Sequence, residues 1–584
     1  MSKYNLKPEI IIKNVADGFT GFSAIAEKLN KSIAAIKGEK VVLAIESYPG
    51  VNYSELRNKL FPLLPASKII FADDYALSIE EVQAKIKDVI TEDRVFGVLS
   101  HYTIDQFFHK ENIKLAENEI KQTAGLVIVY GTGTTLLVEP DILVYADLTR
   151  WKIQRRFKEG MKNWKTDNKD EDKLRKFKRG YFFEWRMADR QKKKVFEQID
   201  YLLDTNVEKS PKMIDGDSYR EGLQQVAHQP FRLVPYFDAS VWGGQWMKEN
   251  FDLDPNADNF GWAFDGIPEE NSIILNYNNS TKIEVPATNV VFRHPNELLG
   301  PKVHARFGTE FPIRFDYLDT MGGGNLSLQV HPLVEYAQDK FGIHYTQDES
   351  YYILASTDHS TVYLGVKNGV KKEELVNDLK KAEAGNYRFP DEKYINIFPV
   401  KKHDHISIPA GTIHCGGPDT VVLEISATPY IFTFKLWDWQ RTGLDGLPRP
   451  VHVNHGQHNI LVKRDTDFAH KNLISRVEDE FENLTNQEDV KTERTGLNEL
   501  EFIATDRHWF KESIIVETHE SVNMLNLVEG TTVVIESLDY SFDPFPVSYG
   551  ETFIIPESIK KYRMINIGDH DKEAAVIQAF VRNL

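Results

Sequence analysis

Four side chains in this sequence have the types and spacing to hold one divalent cation: Gln329, His331, Glu349 and His414. They fall in three segments, LSLQVHP (326–332), DESYYIL (348–354) and the tight turn PAGTIH (409–414). One amide oxygen, two imidazoles and one carboxylate suit a borderline ion such as zinc, and three or four such ligands leave a position open for substrate. Gln329 and His331 are separated by one residue, so on a β-strand both project from the same face. Taken singly, each histidine reads better as a buried residue satisfied by hydrogen bonds in a β core; it is the set of four that points to a metal. Cys415 follows His414 directly; on a strand it faces the other way and packs rather than ligates.

The elements needed to position such a set are β-rich. From Phe231 onward the chain reads as short strands separated by Gly, Pro and Asn turns, the pattern of a sandwich or jelly roll. HPLVEYAQDKFG (331–342) reads as a short helix or turn between two strands. The last hundred residues are strand after strand, among them SVNMLNLVEG (521–530), TTVVIES (531–537), ETFIIPES (551–558) and AAVIQAFV (574–581).

These pieces resemble, in order, the class I phosphomannose isomerases, zinc enzymes with a cupin fold. QVHP, the acidic residue opening an aromatic-rich strand, and PAGTIH resemble that family's metal signature. PYFDASVWGG (235–244), FPIRFDYLD (311–319), LGVKNGVKKEEL (364–375) and KLWDWQR (435–441) resemble flanking segments. The similarity runs from about Phe231 to the C-terminus. It implies a metal-binding cupin at 231–458, a connector at 459–498 and a metal-free second cupin at 499–584. The implied activity is interconversion of mannose 6-phosphate and fructose 6-phosphate through an enediol, with one Zn2+ per chain held by Gln329, His331, Glu349 and His414. That chemistry needs a poised proton carrier, an oxyanion stabiliser and a cationic clamp for phosphate.

The resemblance also assigns further residues and departs at some of them. Gln347 stands where the family has a lysine two residues before the metal glutamate. Lys435 aligns with the family's arginine after the last metal histidine, and Ile431 with an acidic residue four positions earlier. Gln347, Lys435 and Arg441 are the candidate catalytic residues, and Arg314 and Lys435 the candidates for substrate binding. Lys435 keeps the charge but loses the bidentate fork of arginine. Asp438 and Asp316 are both candidates for proton transfer, with a turn-holding carboxylate as the plain alternative for Asp438. His452 resembles a family histidine that supports the site or packs. These departures motivate two alternatives: a sugar-phosphate-binding regulatory protein without turnover, or an isomerase of a different sugar.

Residues 1–205 alternate apolar strand-like runs with helical stretches, which implies a parallel α/β sheet. The strand candidates are VVLAIE (41–46), SKIIFADD (67–74), RVFGVLS (94–100), GLVIVYG (125–131) and DILVYADL (141–148), with a helix over SIEEVQAKIKDVI (78–90). FADDYALSIEEV and ILVYADLTRWKIQRRF resemble segments of uridine-kinase-like P-loop kinases. The phosphate loop does not match: SYPGVNYSEL (47–56) lacks the Gly-Lys-Ser/Thr that cradles phosphates, so the expectation is a degenerate kinase-like domain. Residues 206–230 read as a linker. The Lys/Arg-rich stretch 151–194, interspersed with Trp151, Trp164, Tyr181, Phe182 and Trp185, reads as a solvated helical hairpin with i,i+4 charge pairs, or as a surface for phosphates, nucleotides or single-stranded nucleic acid.

At 584 residues the chain is too long for one ordinary core, so two to four domains are expected. A net charge of −17 argues against a general nucleic-acid binder. A single cysteine excludes an internal disulfide and fits a reducing compartment. No apolar run suffices to span a bilayer and the first residues lack a signal-peptide core, so a cytoplasmic protein acting on a small sugar phosphate, with no membrane or nucleic-acid partner, is expected.

Overall fold

The structure is a computed structural model that describes residues 4–582 apart from 386, 428–431, 445, 447–448, 476–482, 488, 497, 499 and 569–571. The chain divides into two compact units: Glu9–Val226 with Ser272–Arg293, and Met1–Pro8 with Ala227–Asn271 and His294–Leu584. The boundaries therefore differ from those drawn on the sequence. Residues 206–230 carry a strand, Lys212–Asp215, and a helix, Gly216–Val226, and a 22-residue insert of the β-rich region belongs to the α/β unit. No helix among the described residues is long and apolar enough to cross a membrane.

In the α/β unit five strands run parallel in the order Ala66–Phe71, Gly125–Gly131, Lys40–Ser47, Ile142–Asp147 and Tyr201–Asp204. The central ones are buried almost throughout, which is why they read as continuous apolar runs rather than alternating ones. Helix Ile79–Ile90 starts at a capping box between Ser78 and Glu81 and buries Val82 and Ile86. RVFGVLS forms no strand. Val98 N–H bonds the Val89 carbonyl at 2.7 Å and Ser100 N–H the Phe182 carbonyl at 2.9 Å, so its main chain is spent on helical segments.

The basic stretch is helical in parts and only partly solvated: Arg155, Lys158, Lys162, Lys169 and Lys173 are exposed, but other charges lie inside. Arg150, Arg156, Lys176, Lys178, Arg179 and Lys192 are all buried. Arg150 pairs with Asp189 at 2.6 Å, Arg179 with Glu184 at 3.0 Å and Lys192 with Asp147 at 2.8 Å. Such buried charges are kept only when paired and hydrogen-bonded. The inserted segment forms the hairpin Ser272–Tyr277 and Thr281–Pro286, which takes Glu9–Ile12 as a parallel third strand.

The second unit holds two sandwiches with one shared strand plan. In the first, Arg314–Asp319, Thr420–Ser426, Glu349–Ser356 and His405–Ile408 are neighbours in one sheet. Leu328–Val330, His414–Gly416, Thr361–Val366 and Ile395–Pro399 are neighbours in the other. In chain order that is first, eighth, third, sixth against second, seventh, fourth, fifth, the arrangement of a jelly roll. Ile503–Phe510 to Ala574–Val581 repeat it. The second core is apolar, built on Phe510, Leu525, Val533, Phe553, Tyr562 and Met564. Described parts of the expected connector 459–498 add strands to these sheets, Ile474–Ser475 to the first and Val490–Arg494 to the second.

Candidate metal centre

Each ligand candidate is fixed by a different element of the first jelly roll. Glu349 opens strand Glu349–Ser356 and lies between Ser426 and Ile408 of the adjoining strands. His414 opens His414–Gly416 and stands opposite Gln329. Lys435 stands opposite Gln329 on the other side, so His414, Gln329 and Lys435 form one row on one face of that sheet. The PAGT turn that delivers His414 is closed by Thr412 N–H on the Pro409 carbonyl at 3.1 Å and docked by Gly411 N–H on the His331 carbonyl at 3.1 Å. Gly411 has φ +87°, and a Cβ there would lie 2.7 Å from Leu461 Cδ1, so glycine is required. Asp348, next to Glu349, accepts Ala410 N–H at 2.8 Å and ties the same turn to the strand carrying the carboxylate.

His331, Glu349 and His414 are buried and their ligand atoms all lie within 4.8 Å of one another; among the described residues they are the one His/Cys/Asp/Glu group that could hold an ion. His331 Nε2 is 3.0 Å from Glu349 Oε2, and His414 Nε2 is 2.8 Å from Glu349 Oε1. His331 Nδ1 lies 2.9 Å from the Phe432 carbonyl and His414 Nδ1 2.9 Å from the Thr412 carbonyl. A carbonyl only accepts, so both Nδ1 atoms carry the hydrogen, and a neutral ring then presents its Nε2 lone pair. His331 Nε2, His414 Nε2 and Glu349 Oε1 form no hydrogen bond. Lone pairs from two imidazoles and a carboxylate facing one another without a hydrogen between them fit a cation.

Gln329 is engaged differently from the other three. Its Oε1 accepts the Thr433 hydroxyl at 2.9 Å, while its register places it beside His414. Cys415 is buried, pairs with Tyr363 across the sheet, and burial pushes its thiol up.

Gln347 is buried directly against the Glu349 carboxylate. Its Nε2 donates to Glu349 Oε2 at 2.9 Å and to Glu424 Oε1 at 3.2 Å, and its Oε1 accepts Phe432 N–H at 2.9 Å. Glu424 escaped the sequence reading, because only strand register reveals that it lies opposite Asp316 and Tyr351. Burial and the carboxylates of Asp316 and Glu349 push its carboxyl well above the ordinary value. Asp316 is raised to about 7 by burial, against the pull of Arg314. Arg314 is itself only 3% exposed and reaches Asp316 with Nε at 3.4 Å, so its charge faces carboxylates of the barrel interior rather than an open surface.

The remaining cations surround Asp438. Arg441 binds its Oδ1 through Nη2 at 2.5 Å and the Asn325 carbonyl through Nη1 at 2.7 Å, and Arg449 pairs with its Oδ2. Trp439 and Gln440 both have φ near +56°, and this turn is held by Arg441 N–H on the Asp438 carbonyl at 3.0 Å and Trp439 Nε1 on the Leu326 carbonyl at 2.8 Å. Burial would raise Asp438, but Arg449, Arg441 and Lys435 keep it below the ordinary value; it is an ionised turn-holding carboxylate, not a raised base. Half-buried Lys435 is drawn down to about 8, first by burial and then by Arg449. Arg449 was not singled out in the sequence, since only the fold brings it to Asp438. His403 hydrogen-bonds Tyr352, His405 hydrogen-bonds Ser350, and neither joins the ligand cluster. Ile431 lies outside the described residues.

Residues 21–228 match the model of a domain of unknown function, DUF8485. The chain is 26% identical over 227 residues to a mannose-6-phosphate isomerase of Streptococcus mutans serotype c, a stretch that covers 38% of this chain and 66% of that relative. It is 25% identical over 236 residues to a probable mannose-6-phosphate isomerase of Bacillus subtilis, covering 40% of this chain and 69% of that one. The matched stretch thus spans about two thirds of these curated relatives. Among solved structures, mannose 6-phosphate isomerase from Bacillus subtilis superposes with a TM-score of 0.49 at 18% identity, over 60% of this chain and 99% of that one. A variant of phosphomannose isomerase from Salmonella typhimurium gives 0.46 at 14%, over 60% and 99%.

Proposed function

We propose that the chain is a zinc-dependent aldose–ketose isomerase that interconverts mannose 6-phosphate and fructose 6-phosphate. The observation that carries this reading is the convergence of two Nδ1-pinned imidazoles and one carboxylate, His331, His414 and Glu349, on a common point. The names of the curated relatives supply the substrate.

Zinc held by His331, His414 and Glu349, with Gln329 beside them, would polarise the sugar's oxygens without itself taking up a proton. Lys435 lies in the row of Gln329 and His414 and carries positive charge that can face a developing oxyanion. With its pKa drawn down to about 8 it is also the group of that row able to hand over a proton near neutrality. Arg441 and Arg449 outnumber Asp438, and this end of the site is where we place the substrate phosphate. For residues 9–226 we read a kinase-like fold without phosphoryl transfer. Glu46, at the end of its strand, itself accepts Gly133 N–H at 2.7 Å, the Thr134 hydroxyl at 2.7 Å and Thr135 N–H at 3.2 Å.

The test is a coupled assay with mannose 6-phosphate on protein stripped by a chelator and then resupplied with zinc, with the metal content of the purified protein measured alongside. Turnover that vanishes on stripping, returns with zinc and is absent in His414→Ala supports the reading. Ligand-induced thermal stabilisation by mannose 6-phosphate without turnover would instead favour the sugar-phosphate sensor. Turnover of free mannose but not of the phosphate would move the substrate.

A further inference from the structure

Gln347 completes a closed loop behind the three candidate ligands, made of three hydrogen bonds and the contact between His331 and Glu349. Phe432 N–H donates to Gln347 Oε1 at 2.9 Å, and Gln347 Nε2 donates to Glu349 Oε2 at 2.9 Å. Glu349 Oε2 faces His331 Nε2 at 3.0 Å, and His331 Nδ1 donates back to the Phe432 carbonyl at 2.9 Å. One residue, Phe432, therefore has its N–H anchored by Gln347 while its carbonyl, in the next peptide group, fixes the tautomer of His331. The second Nε2 hydrogen goes to Glu424 Oε1 at 3.2 Å. Both amide hydrogens are used inside the protein, and the side chain is only 2% exposed, so Gln347 has no donor left to offer a sugar.

We propose that Gln347 is a positioning residue: through Glu349 and the main chain of Phe432 it holds the carboxylate and the His331 ring in register and sets how tightly the site binds a divalent cation. This rests on the reading of the site as a cation site. The chemistry singles out an amide. Gln347 must donate to a carboxylate and accept from a main-chain N–H at once; an ammonium only donates and an ionised carboxylate only accepts. Groups behind a ligand set commonly change metal affinity by 10–100-fold without touching the metal.

The experiment compares wild-type protein with Gln347→Leu, Gln347→Lys and His414→Ala. Affinity for Zn2+ and Co2+ is measured by competition with a chromophoric chelator. The His331 tautomer is read from 15N imidazole shifts of the cation-free protein, assigned with His331→Gln. Gln347→Leu is expected to weaken Zn2+ by about 10–100-fold and to shift the His331 tautomer. Gln347→Lys, which keeps a donor against Glu349, is expected to fall between it and wild type, and it carries the test if the leucine variant does not fold. An affinity within twofold of wild type together with an unchanged tautomer overturns the proposal, as does an unchanged affinity with a raised KM for mannose 6-phosphate. Should wild type bind no more cation than His414→Ala, the cation-site reading falls on its own. A tautomer shift in Gln347→Leu then still supports the loop, and its absence removes both.

Discussion

The imidazoles of His331 and His414 stand with ring centroids 4.8 Å apart, tilted by 35°, and both turn Nε2 toward the single carboxylate of Glu349. They reach this point from opposite sides of a sheet pairing: His331 follows Leu328–Val330 and His414 opens the strand paired to it. A cation bound here cross-links the two strands and the facing sheet that carries Glu349.

Such a cross-link stabilises the folded state by mass action. At a free zinc concentration 100 times the dissociation constant the gain is about 2.7 kcal/mol. Thermal unfolding of stripped wild-type protein is expected to move upward on adding zinc, whereas His414→Ala and Glu349→Gln, which lose a ligand or its charge, are expected to show no such rise. A zinc-induced rise of equal size in His414→Ala would place the bound ion elsewhere.

Lys435 gives the proposed reaction an alkaline limit. Its pKa is drawn down to about 8 by burial and by Arg449, so its positive charge is present below that pH and disappears as the pH rises through it. The rate with mannose 6-phosphate is expected to decline above about pH 8 with an apparent pKa near that value. Lys435→Arg keeps the charge at all accessible pH and is expected to shift the decline upward, while Lys435→Met is expected to lose at least about 100-fold in kcat. A profile that is identical in Lys435→Arg would assign the alkaline limb to another group.

The legible part of the site was the part that lies within single segments. QVHP declares its face because strand side chains alternate, and PAGTIH declares its turn because position 411 needs a glycine at positive φ. The amide and carboxyl groups behind the ligands were not legible. Gln347 was assigned to chemistry, yet its partners Glu424 and Phe432 lie 77 and 85 residues away, brought in by strand register and by the chain after it. In the α/β unit the apolar runs at 41–46, 125–131 and 141–148 marked real strands, because strands buried on both faces need no alternation. RVFGVLS has the same composition but no strand to pair with. The basic stretch departs in part for the opposite reason: charge normally marks a solvated face, and here Asp147, Asp189 and Glu184 neutralise Lys192, Arg150 and Arg179 inside.

His405 predicts an acid-side loss of stability. It is buried against Ser350, and burial first, then Arg507, lowers its pKa from 6.5 to about 3. Between those values the unfolded chain takes up a proton that the folded chain refuses, so stability is fully present above the unfolded value and is lost as the pH falls through it toward 3. The contribution at about pH 5 is on the order of 2 kcal/mol relative to neutrality. Unfolding free energies from urea titrations at about pH 7 and pH 5 are expected to lie farther apart for wild type than for His405→Gln by about that amount. Equal spacing in the two proteins would mean that the folded state protonates His405 readily.

The hairpin Ser272–Tyr277/Thr281–Pro286 ties the fate of the α/β unit to chain that lies downstream of it. Its three-residue connection, 278–280, is encoded locally: Asn278 and Asn279 sit at φ 50° and 59°, and Ser280 N–H closes on the Tyr277 carbonyl at 2.9 Å. Its burial is not local: Ile273, Leu275, Ile283 and Val285 are fully covered within a unit whose other residues are 9–226, and Glu9–Ile12 pairs with its first strand. Asn289, just beyond it, donates to Asp147 Oδ2 at 3.0 Å and to the Tyr219 hydroxyl at 2.8 Å. A chain beginning at residue 227 would expose those four side chains, each worth about 1.5–3 kcal/mol when buried. It is therefore expected to aggregate or to be cut by protease within 272–293. Replacing 272–293 by a short glycine-rich turn in the same truncated chain is expected to restore solubility. If the unmodified truncation were monomeric and protease-resistant in that segment, the hairpin would have to find its cover without the α/β unit.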